Sequence, residues 1–175
     1  RQYAREKGIR VYDIDAGIGT HLAIENGLSW PGSTFVSTDS HANIMGAIGA
    51  FGQGMGDQDI AATWARGSVW FKVPESVRMN LHGQRPEGVS AKDIVLNMLN
   101  IFGANKLLGK CIEMHGEAVD SLSLDERITI ASMATEMGAI ILLFPVKGKV
   151  LDELEALTGT RYQEVAPDED AVYAS

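Results

Sequence analysis

Five glycines, Gly46, Gly49, Gly52, Gly54 and Gly56, crowd into eleven positions directly behind a β-type run, Ser33-Thr34-Phe35-Val36-Ser37, and its polar end, Thr38-Asp39-Ser40-His41. A stretch so poor in side chains gains little from its own packing. It lets the backbone of another element, or a ligand, approach closely. A strand that ends in a carboxylate, a hydroxyl and an imidazole delivers acid–base groups to the carboxyl edge of a sheet, where open α/β folds place their ligands. Asp39 and Ser40 are equally suited to cap the helix that follows, and the tetrapeptide alone does not separate the two readings. Gly54-Met55-Gly56-Asp57-Gln58-Asp59 comes near a dinucleotide pattern. It lacks the third glycine, however, and follows a helix-like segment rather than a strand, so these glycines read as close-packing residues.

The 175 residues are enough for one large domain or two small ones with a real core. A net charge of −8 without any basic block argues against a nucleic-acid or anionic-membrane surface. The longest apolar run, 139–146, falls far short of the roughly 20 residues that span a bilayer and suits one buried strand. Cys111 is the single cysteine, so neither an intrachain disulfide nor a multi-cysteine metal site can be built from this chain. No metal-binding residue is assigned, and a cytoplasmic location is expected. The opening Arg1-Gln2-Tyr3 reads as the interior of a helix, which suggests part of a larger protein.

Strand-like and helix-like segments alternate, which predicts an α/β fold, layered α/β/α with mostly parallel sheets. Strands are expected over 10–14, 34–37, 69–73, 77–81, 109–114 and 139–144. Helices are expected over 44–51, 57–66, 91–102, 123–137 and 151–157. Gly83-Gln84-Arg85-Pro86-Glu87-Gly88 is the clearest linker and divides the chain into subdomains 1–82 and 83–175. The acidic tail around Asp168-Glu169-Asp170 is expected to be peripheral.

Three ionisable residues interrupt apolar or small-residue surroundings. His21 follows the turn Ala16-Gly17-Ile18-Gly19-Thr20, His41 ends the tetrapeptide, and Glu136 lies near the end of the apolar 123–137 helix. A carboxylate there either faces solvent or is paired, because an unpaired buried charge is costly. Each of the three, taken alone, is also accounted for as a structural residue. His82 and His115 close short strand-like runs and read as structural. Cys111, in an apolar strand, reads as a core residue.

Together these segments resemble the aconitase and isopropylmalate dehydratase family, in its large, iron–sulfur-bearing portion. The resemblance runs through Gly17-Ile18 with His21, Pro31-Gly32, Thr38-Asp39-Ser40-His41 with its glycines, Trp70-Phe71-Lys72-Val73-Pro74-Glu75, Ala91-Lys92-Asp93 and the 128–138 helix. It implies a fold like the iron–sulfur domains of aconitase. It also implies a hydro-lyase that dehydrates and rehydrates a hydroxy di- or tricarboxylic acid, of the 3-isopropylmalate, leucine-biosynthetic type or acting on citrate-like acids. In such a reaction a Lewis acid assists the poor hydroxide leaving group, and positioned side chains move the protons. The resemblance pairs His21 with Asp39 and His41 with Glu136 as catalytic residues, gives Ser40 a substrate carboxylate, and puts Ser132 in polar contact near the cluster. It implies a 4Fe-4S cluster whose cysteine ligands lie outside this chain, with none bound here, and a small dehydratase subunit or swivelling domain as partner. Family members usually carry Cys-Asn where this chain has Ala131-Ser132. A binding module that keeps the fold without the chemistry is the alternative of a different class.

Overall fold

The computed structural model describes residues 1–174. Strands β1 (Thr34–Ser37) and β2 (Phe51–Gly54) form a parallel pair, with Thr34 opposite Phe51 and Ser37 opposite Gly54. A second parallel sheet has the order β3 (Ser76–Asn80), β4 (Cys111–His115), β5 (Ile141–Leu143). The helices are α1 (Gln2–Glu6), α2 (Gly19–Glu25), α3 (Asp57–Arg66), α4 (Ala91–Phe102), α5 (Glu117–Asp120), α6 (Leu124–Ser132) and α7 (Lys149–Thr158). A 3₁₀ helix, Ala42–Ile48, runs between β1 and β2. The mixed α/β architecture with parallel sheets is the one the sequence predicts.

Alternation along the strands explains the packing. Ile112, Met114 and Leu142 of the larger sheet meet Ala91, Val95 and Met98 of α4 and Ile130 and Ala131 of α6 in one core. A second core gathers Ala23 and Ile24 of α2, Ile44, Met45 and Ile48 of the 3₁₀ helix, and Val150, Leu151 and Leu154 of α7. The 3₁₀ helix is buried along its whole length and lies between these cores, with Ala47 in the first. Strand β3, N-terminal to residues 83–88, pairs with β4 beyond them.

Several expected elements differ. Residues 10–14 and 69–73 have β-type composition, but no neighbouring strand completes their hydrogen-bond ladders, and they run as irregular chain. The helix expected over 44–51 is a 3₁₀ segment ending at Gly49 (φ +64°), and Phe51 already belongs to β2. The helix expected to reach 137 ends at Ser132. Tight bonds from Met133 N to Ile130 O and from Ala134 N to Ala131 O then turn the chain toward Gly138 (φ +73°). The tail is exposed at Asp168–Asp170 but tied on either side: Val165 bridges Val146, and Tyr173 donates to Glu113.

Candidate active site

Two glycines of β2 make room for the Asp-Ser-His loop. A Cβ on Gly52 would stand 1.9 Å from the Ala42 carbonyl oxygen, and one on Gly54 would stand 2.7 Å from that of Asp39. No side chain fits there, so the backbone of residues 39–42 lies directly on β2. Within the loop, Ser37 Oγ accepts the Asp39 N–H (3.1 Å), and Asp39 Oδ1 accepts the His41 N–H (2.9 Å). Asp39 thus turns the chain into the 3₁₀ helix, and the same carboxylate oxygen lies 3.7 Å from His41 Nδ1.

His41 is held on both ring nitrogens. Nε2 lies 3.2 Å from Glu136 Oε1, across 95 positions of sequence, and Nδ1 lies 3.2 Å from Ser40 Oγ. An ionised carboxylate only accepts hydrogen bonds. The neutral ring therefore carries its proton on Nε2, toward Glu136, and its lone pair on Nδ1, toward the Ser40 hydroxyl. The side chains of His41 (45% exposed), Asp39 (43%) and Glu136 (37%) are all partly open to solvent. Glu136 reaches His41 because α6 ends early: the tight turn beyond it buries Ala134 and Met137 and leaves Thr135 and Glu136 outside.

His21 occupies the first turn of α2, beside buried Thr20, Leu22, Ala23 and Ile24. It forms no ion pair with Asp39. Its Nδ1 is buried and has no hydrogen-bond partner among the described residues. Ser132 Oγ donates back to the Thr129 carbonyl at 2.8 Å. Two side chains at the site were not singled out by the sequence. Asn43 is 2% exposed and donates from Nδ2 to Thr135 Oγ1 at 2.7 Å, and Thr135 donates to the Ser40 carbonyl at 3.2 Å. A lone amide inside Ala42-Asn43-Ile44-Met45 is the signal that marks Asn43. Both residues line a cavity of about 360 Å³, together with Thr38, Ser40, Gln53 and Ile140.

A parallel α/β scaffold that pairs an imidazole from the loop after β1 with a carboxylate from the turn after α6 has the form of an acid–base site. The model of the aconitase family (aconitate hydratase) matches residues 1–174, and the chain belongs to that family. It is similar to the 3-isopropylmalate dehydratase large subunit 1 of Methanopyrus kandleri, 40% identical over 174 residues that make up 99% of this chain and 42% of that protein. The corresponding subunit of Thermotoga maritima is 36% identical over the same share of this chain and 41% of its own. A mitochondrial homoaconitase of Yarrowia lipolytica is 42% identical over 82% of this chain and 21% of its own. The chain thus spans well under half the length of these relatives.

The aconitase family uses an iron–sulfur cluster. The residues of this chain do not supply its ligands. Cys111 is the single cysteine and is buried in β4, where burial pushes its thiol up to about 11. No three His, Cys, Asp or Glu side chains among the described residues are grouped to hold a metal ion.

Proposed function

We propose that this chain is part of the large subunit of a hydro-lyase that dehydrates and rehydrates a hydroxy di- or tricarboxylic acid, of the 3-isopropylmalate type. One observation carries the reading: His41 Nε2 lies 3.2 Å from Glu136 Oε1 while Nδ1 faces Ser40. Dehydration needs a proton delivered to the departing hydroxyl and another removed from the neighbouring carbon. Glu136 fixes the orientation of the ring, so that Nδ1 exchanges the proton of the substrate hydroxyl. Ser40 turns its own O–H toward a substrate carboxylate. Asp39, 3.7 Å from Nδ1, is the second carboxylate beside the ring. His21, in the first turn of α2, is proposed as a further imidazole of the assembled site.

The proton on carbon and the cluster ligands fall to other parts of the protein. The supporting fact is length: the chain covers 42% of the Methanopyrus dehydratase subunit. By itself it supplies acid–base and substrate-binding groups and is inert. The partner proposed from the dehydratase relatives is a small subunit or swivelling domain. The homoaconitase relatives, up to 42% identical, support a citrate-like tricarboxylate as the second reading. Their mitochondrial names make that compartment the alternative to the cytoplasm. No helix among the described residues is long and apolar enough to cross a membrane.

The test is an assay of a polypeptide that joins this segment to the remainder of a dehydratase large subunit, with its small subunit, on 3-isopropylmalate, homoaconitate and citrate. The reading expects turnover of one of these acids and a fall in kcat of about 10²–10⁴ for Glu136→Gln and for His41→Ala. Full activity in both variants overturns the site. A folded assembly that binds hydroxy acids without turnover supports the binding-module alternative.

A further inference from the structure

We propose that Asn43 and Thr135 are positioning residues that hold the His41–Glu136 pair closed, an inference that rests on reading that pair as the acid–base site. His41 and Glu136 come from chain segments 95 positions apart and are both partly solvated. A pair of that exposure contributes little and does not fix its own geometry. Their sequence neighbours are joined by a second link. Asn43 Nδ2 donates to Thr135 Oγ1 at 2.7 Å, and the Thr135 hydroxyl donates to the Ser40 carbonyl at 3.2 Å. Thr135 precedes Glu136, and the Ser40 carbonyl belongs to the peptide that leads into His41. The two bonds therefore fix the separation of the two backbones from which the imidazole and the carboxylate project.

The placement of Asn43 supports a dedicated role. It is 2% exposed within an otherwise apolar 3₁₀ helix, and its Oδ1 has no partner among the described residues. A half-satisfied buried amide is unfavourable for stability alone. An apolar residue would serve the core better, whereas only a donor reaches the Thr135 hydroxyl and orients its O–H toward Ser40. Thr135 is exposed, so its hydroxyl, rather than its burial, is the feature the bridge uses.

The experiment reads the ring of His41 directly in the 175-residue chain, without dehydratase activity. Imidazole ¹⁵N signals are recorded at alkaline pH, where the ring is neutral, and His41 is identified by the signal lost in His41→Gln. Glu136→Ala, which removes the acceptor, supplies the signature of the opened pair. Thr135→Val and Asn43→Leu are expected to reproduce at least half of that signature, and Thr135→Ser, which keeps the hydroxyl, to retain the wild-type signals. If Thr135→Val does not fold, Thr135→Ala removes the same hydroxyl at the same exposed position. Folded Thr135→Val or Thr135→Ala chains with unchanged His41 signals overturn the proposal, as does Thr135→Ser behaving like Thr135→Val. Loss of thermal stability with unchanged ring signals shows a merely structural role and also overturns it. An assembled enzyme that turns over no hydroxy acid defeats the functional reading and leaves this ring measurement standing.

Discussion

Gly46 presses its α-carbon against the carbonyl of Leu142: a Cβ there would lie 1.9 Å from that oxygen, and the Phe144 N–H donates to the Gly46 carbonyl at 2.9 Å. This contact docks the 3₁₀ helix onto the end of β5 and so links the two sheets. The helix in turn carries His41 at its N-terminal boundary.

Gly46→Ala therefore sets a methyl group into the backbone of Leu142, with the Ile141 side chain 3.2 Å away. Overpacking of a core costs about 1–3 kcal/mol and more where nothing yields. The variant is expected to be insoluble or to melt well below the parent by circular dichroism. Gly19→Ala is the control. Gly19 opens α2, a Cβ there meets nothing within 4 Å, and its φ is not positive. Alanine there is expected to leave the melting temperature unchanged or raise it by a few degrees. Equal effects at the two positions would refute the close-packing reading.

Arg127 supplies a second stability test. It is 1% exposed, and its guanidinium donates to the carbonyls of Pro145 (2.6 Å), Val119 (3.1 Å) and Leu122 (3.3 Å) while lying 5.3 Å from the Phe144 ring centroid. Its role is to satisfy carbonyls where the chain leaves α5 and β5. Arg127→Leu strands these buried acceptors, each at on the order of 1–3 kcal/mol. A loss of about 3 kcal/mol or more is expected, read as a drop of roughly 6–12 °C in melting temperature for a chain of this size. Lysine keeps the charge but not the planar fork, so Arg127→Lys should recover only part of it.

Helices α3 and α4 were legible in the sequence because their ends carry local signals. Gly67 closes α3 at φ +69°, and Ser90 with Asp93 forms a complete capping box on α4. Strand β2 was hidden, since Phe-Gly-Gln-Gly has no alternating side-chain pattern and becomes a strand only through its ladder with β1. The 10–14 and 69–73 runs show the converse: β-type residues without a partner stay irregular. At the site, the Asp39–His41 loop and Glu136 were legible as chemistry-bearing residues. The Asn43–Thr135 bridge was not, because it depends on α6 ending at Ser132, and tertiary packing of Ala134 and Met137 decides that.

Acid stability follows from Glu117. Its carboxylate accepts the Gly83 N–H (2.9 Å) and faces His82 Nδ1 (2.9 Å), and the Gly83 N–H, its own N–H and His82 together hold it down at about 2. A carboxyl whose folded value lies below its ordinary 4.5 stabilises the fold above that value and loses the contribution as pH falls toward about 2. Glu117→Gln is expected to melt below the parent at neutral pH, with the gap closing between about pH 4.5 and pH 2. A gap that stays constant through that window would show that this carboxylate does not anchor the 83–88 loop.

The cluster prediction turns on Cys111. Cysteine binds an iron–sulfur cluster as the thiolate, and this chain offers one sulfur, 3% exposed, whose thiol burial lifts to about 11. At neutral pH it remains protonated and shielded in β4 between Ser76 and Ile141, its register partners on the neighbouring strands. Two results are expected from the 175-residue chain. Iodoacetamide should label Cys111 at a rate that tracks unfolding, rising together with the loss of the circular dichroism signal. Anaerobic incubation with iron and sulfide should yield no stoichiometric cluster absorbance, whereas the same treatment of a polypeptide carrying the remainder of a large subunit should. The pairing of these two measurements matters, because rapid labelling of folded protein would expose the sulfur while leaving the ligand count at one. A stable four-iron cluster on this chain alone would require ligands that its sequence does not contain, and would end the assignment of the cluster to the rest of the subunit.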